Sequence, residues 1–300
     1  MNDIISIKSI SQVHRLLKIG KPKHPFVMII SNNCIDIDIT KDSYCTEMYM
    51  IAMKDEVTGT MKYGRNSYDF EEGAMLFVAP GQIISPSDTV IEKDTQGWTL
   101  LFHPDLIRRT PLGKKIHQYS FFSYDVSEAL HISDIERQTL NELVQKINRE
   151  LEQNIDRHTG SLISANIELM LDYCTRFYDR QFYMRSNESK DKISEFEAML
   201  WDYFKSGRAL ENGLPNVAYC GKKLGVSPNY LSDLLKKETG KSAIEHIHLF
   251  IIELAKYKLL GSKKTISNIA FELGFDYPAH FTRLFKKNTG FSPSEFRMIK

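Results

Sequence analysis

The chain has 300 residues, 42% of them hydrophobic, and a formal net charge of +1. This length can bury a sizeable core and suggests about two domains. No stretch approaches the ~18 uncharged apolar residues of a membrane span, and the first residues carry charges where a signal peptide needs an apolar segment. Composition therefore favours a soluble cytoplasmic protein with no membrane partner.

The near-neutral total hides an uneven distribution of charge. From Leu214 to Lys300 there are 14 Lys and Arg against 7 Asp and Glu, a net charge of +7. Residues 1–213 hold the remaining 25 and 31, a net charge of −6. A basic C-terminal third on an acidic body is typical of a nucleic-acid-binding module joined to another domain.

The cysteines show neither a CxxC pair nor the spacing of zinc ligands. We expect reduced, mostly buried thiols and predict no cofactor. These residues are Cys34, Cys45, Cys174 and Cys220.

The first hundred residues predict short β-strands, because β-branched and aromatic runs are separated by Asn, Gly, Asp and Pro. Closely spaced short strands favour a small antiparallel barrel or sandwich. The predicted strands are 25–31, 34–40, 48–54, 60–70, 74–80 and 97–103.

From about residue 128 the apolar spacing changes to the helical period. The helical pair that follows is either intramolecular core or a dimer seam. One helix is marked by Leu130, Ile132, Ile135, Leu140, Leu143, Val144, Ile147 and Leu151, and the other by apolar residues between Leu162 and Tyr178. The polar run 185–192 reads as a linker, which predicts domains at 1–187 and 188–300.

The C-terminal region contains an internal repeat. "PNVAYCGKKLGVSPNYLSDLLKKETG" and "TISNIAFELGFDYPAHFTRLFKKNTG" align with a single one-residue gap. Each copy predicts a helix, a short turn with glycine, and a second helix that starts at proline and ends at glycine. The repeat therefore predicts two helix-turn-helix units, at about 215–240 and 265–290. The apolar segment 242–261 predicts a helix of ~27 Å between them, comparable to the ~34 Å turn of B-DNA.

The second helix of such a unit offers its amino end to the major groove of double-stranded DNA. Arg283 could donate two hydrogen bonds to guanine N7 and O6. Asp233 could accept a hydrogen bond from cytosine N4, or else its charge would weaken binding by the first unit. The predicted base-reading residues, which the packing pattern leaves free, are Asn229, Tyr230, Ser232 and Asp233 in the first copy and Ala279, His280, Thr282 and Arg283 in the second. The predicted phosphate contacts are Lys236, Lys237, Lys286 and Lys287.

The second copy and the segment after it resemble the signature of the AraC family of bacterial transcription regulators. The matching residues are Ile269, Ala270, Gly274, Phe275, Phe281, Phe285, Lys286, Gly290, Pro293 and Arg297. More weakly, "EEGAMLFVAPGQI" (71–83) resembles the cupin-like sensor barrel of many family members.

This resemblance implies an α+β protein. It would have an N-terminal cupin-like antiparallel β-barrel with a helical connector, and a C-terminal all-α double helix-turn-helix domain. It further implies a non-enzymatic regulator, more often an activator, that works with RNA polymerase. A small-molecule effector would bind in the barrel, and the helices beside it would form a homodimer.

Two alternatives stay open for the N-terminal half. A metal-dependent cupin enzyme would need about three converging His and a carboxylate, whereas residues 1–105 offer only His14, His24 and His103, and Ile84 replaces a common ligand. A regulator that senses nothing would use its barrel for dimerisation alone. Effector-lining candidates, which could equally be core, are Tyr44, Tyr49, Tyr63, Tyr68, Phe70, Phe77 and Trp98.

Overall fold

The computed structural model describes residues 4–32, 43–54, 62–63, 66–67, 73–84, 97–124, 128–184 and 186–298. These fall into two compact units, Met1–Met184 and Arg185–Lys300, named here the N-terminal and C-terminal units. Each unit has its own core.

The N-terminal unit mixes short strands with helices. Its strands are β1 (Ile4–Ile7), β2 (Val27–Ser31), β3 (Ser43–Thr46), β4 (Tyr49–Lys54), β5 (Lys62–Tyr63), β6 (Asn66–Ser67), β7 (Ala74–Val78), β8 (Ile83–Ile84), β9 (Gly97–Phe102) and β10 (Leu130–His131). Its helices are α1 (Ile10–Leu16), α2 (Pro104–Ile107), α3 (Pro111–Lys115), α4 (Asp134–Glu152) and α5 (Thr159–Met184), with 3-10 turns at Ile116–Gln118 and Ser120–Ser123.

The main sheet is antiparallel, in the order β10-β7-β4-β9-β2. A second sheet has the order β1-β3-β8, in which β1 and β3 are parallel, and β5 pairs with β6. The expected barrel closure is not observed among the described strands, since neither β10 nor β2 of the main sheet pairs with a further one. The parallel β1–β3 pair also departs from an all-antiparallel prediction. The predicted strand 34–40 lies outside the described residues.

The helical pair begins later than the pattern indicated. Leu130 belongs to β10, and Ile132 follows that strand, so neither is helical. The cause is a capping box at Ser133, whose hydroxyl accepts from Glu136 N while Glu136 Oε2 accepts from Ser133 N at 2.9 Å. Ile135, one of the apolar residues that mark the predicted helix, is 78% exposed.

The predicted linker is mostly helical. The C-terminal unit begins with α6 (Ser186–Lys205), which covers nearly all of 185–192. The residues of this stretch include Glu and Lys, which are polar but good helix formers, so a polar run does not exclude a helix. The remaining helices are α7 (Arg208–Asn212), α8 (Val217–Leu224), α9 (Pro228–Thr239), α10 (Ala243–Gly261), α11 (Ile266–Glu272), α12 (Pro278–Thr289) and α13 (Pro293–Met298).

The helix α10 is the centre of the C-terminal unit. It contacts α9, α11, α12 and α13, while α6 contacts α7, α8 and α9, and α7 contacts α11. Both copies of the repeat bury their apolar residues in a single core, to which Phe196, Leu231, Ile251, Phe281 and Phe285 contribute. The predicted helix at 242–261 and both predicted helix-turn-helix units are confirmed.

Candidate nucleic-acid interface

The first helix-turn-helix consists of α8, a short turn and α9. Asn216 caps α8 by accepting from Tyr219 N at 2.8 Å, and Gly225 ends it in the left-handed conformation, with φ of 68°. A Cβ on Gly221 would lie 2.6 Å from Val226 O, so only glycine fits where the turn folds back over α8. Ser227 then caps α9 by accepting from Tyr230 N at 3.2 Å.

The second helix-turn-helix has the same plan with a turn one residue longer. Thr265 caps α11 by accepting from Asn268 N at 3.2 Å. Ala270, fully buried, replaces the glycine of the first copy. The glycine that a close contact requires is instead Gly274, which has a φ of 90°. A Cβ added to it would lie 2.8 Å from Ala209 O. Tyr277 precedes α12 but makes no side-chain cap.

The two copies match beyond the second helix. Gly240 and Gly290 end α9 and α12 in the left-handed conformation, donating to Lys236 O and Lys286 O at 2.9 Å each. Each is followed by a capping box: Glu245 Oε2 accepts from Ser242 N at 2.8 Å, and Glu295 Oε2 accepts from Ser292 N at 2.7 Å. The repeat therefore includes the starts of α10 and α13.

Most of the predicted base-reading residues are accessible. Asn229, Ala279, His280 and Arg283 are exposed, whereas Ser232, Asp233 and Thr282 are half-buried. The Thr282 hydroxyl donates to Pro278 O at 3.0 Å and so is partly engaged by its own helix. Lys236, Lys237, Lys286 and Lys287 are all exposed one turn later, as predicted.

Tyr230 is the exception among these residues. The expectation that its side chain is free from packing is wrong, because the residue is 6% exposed. The equivalent position in the second copy is His280, which is exposed and whose ring lies 5.5 Å from the Tyr277 ring. Helical spacing did not predict the burial of Tyr230, because it lies at the edge of the apolar face of α9.

The ends of the two first helices differ in charge. Lys222 and Lys223 are exposed near the end of α8, and the prediction had not included them among the contacts. Two adjacent lysines on the helix that crosses the DNA backbone are the signal that could have identified them. The corresponding residues of α11 are Phe271, 44% exposed, and Glu272.

Glu272 is held by two cations. Lys258 Nζ donates to its Oε2 at 2.7 Å, and Lys264 Nζ contacts its Oε1. The hydrogen bond from Lys258, followed by that from Lys264, lowers the pKa of Glu272 below its ordinary value. Two lysines near the second copy therefore share one carboxylate within the protein.

Three of the candidate effector-lining aromatics, Tyr49, Phe77 and Trp98, contact other side chains. The Tyr49 ring stacks on Phe102 at 5.0 Å, and the Phe77 ring lies 4.5 Å from that of Phe121. Trp98 Nε1 donates to Asn141 Oδ1 at 2.8 Å. Tyr68 and Phe70 lie outside the described residues.

Within the described ranges, no three His, Cys, Asp or Glu side chains are grouped so that they could hold a metal ion. Cys174 and Cys220 are buried, and burial raises the pKa of the Cys220 thiol to about 11. In the part of the chain that the structure covers, no helix combines the length and apolarity needed to cross a membrane.

Two helix-turn-helices on one core, each with an accessible second helix that carries two exposed lysines, define a double helix-turn-helix DNA-binding domain. Residues 220–298 match the family model described as a helix-turn-helix domain.

Three relatives place this domain among transcriptional regulators. An uncharacterised HTH-type transcriptional regulator encoded in the cgkA 5' region of Pseudoalteromonas carrageenovora is 35% identical over 121 residues, 37% of this chain and 69% of that protein. The uncharacterised HTH-type transcriptional regulator YijO of Escherichia coli is 27% identical over 75% of this chain and 78% of its own. The arabinose operon regulatory protein of E. coli is 35% identical over 27% of this chain and 28% of its own. The chain belongs to the AraC family of helix-turn-helix transcriptional regulators.

Proposed function

We propose that the protein is a sequence-specific regulator that inserts α9 and α12 into successive major grooves of one DNA site. The observation that carries this proposal is the position-for-position match of the two helices on a shared core. Lys236 and Lys237 occupy the same helical positions as Lys286 and Lys287, and all four are exposed. Cations at these positions can neutralise phosphates while the preceding turn meets base edges.

The base-reading roles differ between the copies. In the first, Asn229 and Ser232 meet base edges, and Asn pairs best with adenine. In the second, Arg283 reads guanine N7 and O6, supported by His280 and Thr282. Arg283 suits this role because it is exposed and its guanidinium has no hydrogen-bond or ion-pair partner among the described residues.

The N-terminal unit is proposed as the sensor. Its antiparallel main sheet and the resemblance of 71–83 to a cupin turn support a cupin-like domain that holds a small molecule. Effector binding would increase or decrease the population of chains that can bind DNA. On family grounds, activation of transcription through contact with RNA polymerase is proposed rather than repression.

Dimerisation is proposed along α5, where Leu162 and Leu169 are 47% and 45% exposed and lie seven residues apart on one face. A cytoplasmic location and the absence of enzymatic activity follow from this role.

The first experiment selects binding sites for the full-length protein from random DNA and maps the protected bases. We expect each protomer to protect two successive major-groove faces. Arg283→Ala should then cost about 1–3 kcal/mol and relax preference at one base pair. Lys286→Ala should weaken binding to all sequences and lower the salt slope by about one.

Lys256→Ala is a matched control, because Lys256 lies on α10 and is paired with Glu253 at 2.7 Å. It should leave affinity and base preference unchanged. Selection of no sequence, or unaltered base preference in Arg283→Ala, would contradict the proposed reading.

A further inference from the structure

The start of α12 presents an apolar surface to solvent. Tyr277, directly before the helix, is 64% exposed, and Ala279 in its first turn is exposed as well. The Tyr277 ring lies edge-on to the His280 ring, at 5.5 Å and 61°, so a neighbouring side chain holds it in place. We name Tyr277 and Ala279 the apolar tip.

The first copy is more polar at the same place. Ser227, which caps α9, is 3% exposed, and the exposed residues of the first turn are Pro228 and the polar Asn229. A serine cap typically stabilises a helix by about 1 kcal/mol. Tyr277 provides no such cap, and an aromatic ring that is 64% exposed adds little to the core. Neither helix capping nor core packing therefore explains the apolar tip.

The surroundings of the apolar tip select its ligand. Arg283 lies four residues after Ala279, hence on the same face of α12, and Lys286 and Lys287 follow on the next turn. This face carries three cations, which fits a polyanion. In the major groove the one apolar group on a base edge is the C5-methyl of thymine, and small apolar side chains and aromatic rings contact it.

We propose that the apolar tip recognises thymine C5-methyl groups in the DNA half-site that α12 binds. The inference rests on the proposed function, since it requires α12 to enter the major groove. It specifies the second half-site further. Thymine lies under the apolar tip, and guanine lies under Arg283, which is one turn further along α12. The first half-site lacks this methyl recognition, because Asn229 occupies the equivalent place.

The test replaces each thymine of the selected DNA site, one at a time, by deoxyuridine, which removes the methyl group and keeps every hydrogen-bonding group. Affinities are measured by fluorescence anisotropy with the full-length protein at one salt concentration. Removing a contacted methyl should weaken binding about fourfold, the factor that about 0.8 kcal/mol per buried carbon group gives. Sensitive positions should fall only in the second half-site.

Protein variants assign the effect to the apolar tip. Tyr277→Ser should abolish the sensitivity to deoxyuridine at one position, and Tyr277→Phe should keep it. Tyr257→Ser is the matched control, because Tyr257 is 74% exposed but lies on α10 and not on a recognition helix. It should bind both DNAs as the unmodified protein does.

Two results would overturn the inference. One is full affinity for every deoxyuridine-substituted duplex. The other is undiminished deoxyuridine sensitivity in Tyr277→Ser, which would assign the methyl contact to another residue. In either case a lost guanine preference in Arg283→Ala would leave the proposed function standing. If Arg283→Ala has no effect either, the proposed function fails as well.

Discussion

The two helix-turn-helices of the C-terminal unit share one plan and differ in where their charge and their constraints lie. The first copy carries Lys222 and Lys223 on its first helix and the polar Asn229 at the start of its second. The second copy has Phe271 and Glu272 at the equivalent first-helix positions and concentrates its charge on α12, at Arg283 and two lysines. The two copies thus share their core and the glycine caps that end their second helices, whereas the cap at the start of the second helix and the DNA-facing chemistry differ. Two unlike half-sites are the expected consequence.

The two copies also differ in which glycine is fixed by close backbone packing. In the first copy the turn closes onto its own helix at Gly221, and Gly225 has open space around it. In the second copy Ala270 is tolerated, and Gly274 packs against the backbone of α7 and Gly213. The first turn is therefore constrained from within, whereas the second is constrained by a neighbouring helix.

The largest effect on stability is expected from Gly221→Ala. The new Cβ would meet a backbone oxygen that cannot move without displacing the turn, so we expect a loss of about 1–3 kcal/mol despite the better helix propensity of alanine. Urea unfolding followed by circular dichroism measures the loss. The matched substitution Ala270→Gly should cost about 1–2 kcal/mol, because it loses helix propensity and a buried methyl group. Unchanged or increased stability of Gly221→Ala would show that the two turns are equivalent.

A smaller effect is expected at the cap that only the first copy has. Ser227→Ala removes the acceptor of the Tyr230 N–H and should lower the free energy of unfolding by about 1 kcal/mol. Ser227→Thr should retain most of the stabilisation that the cap provides, because threonine caps a helix nearly as well as serine does. Thermal unfolding of the three proteins side by side provides the comparison. Equal midpoints for serine and alanine would mean that the cap contributes nothing in this unit.

The smallest effect concerns Glu272 and depends on pH. Its folded-state pKa lies below the ordinary 4.5, so its stabilisation is present above that value and is lost as the pH falls through the folded-state pKa. Glu272→Gln should therefore be less stable at pH 7, by at most about 1 kcal/mol for a partly exposed pair, and the difference should shrink by pH 3. Melting temperatures at both values test this prediction.

The control for that prediction is Glu253→Gln. The Glu253 side chain is 62% exposed and pairs with Lys256 on its own helix. We expect no resolved change in its melting temperature at either pH. A pH-independent deficit in Glu272→Gln would instead indicate lost packing rather than lost charge.

Sequence alone predicted the C-terminal unit well because its signals are local. Pro228, Pro278, Gly240 and Gly290 mark helix ends through their own backbone preferences, and Ser227 caps its helix within one turn. The burial of Tyr230 and the exposure of Tyr277 were missed, because they depend on how the turn aims each residue. The base contacts themselves stay predictions.

The N-terminal unit was less predictable because its strands pair across long separations. Strand positions at Val27–Ser31, Tyr49–Lys54, Ala74–Val78 and Gly97–Phe102 followed the apolar pattern closely. Pairing order and closure did not, since period-two alternation says nothing about which strand is the neighbour. Leu130 was misassigned to a helix for the same reason, because an apolar residue beside a helix start fits either period.

The shared core of the C-terminal unit has a consequence for how this domain folds and is inherited. The helix α10 begins as the third helix of the first repeat and then packs against α11, α12 and α13. Neither helix-turn-helix unit therefore has a complete core of its own. A chain cut after residue 261 would leave the apolar side of α10 without its covering helices. The two helix-turn-helix units should therefore unfold in a single cooperative step. Evolution can change the bases that each unit recognises, but it cannot remove one unit without unfolding the other.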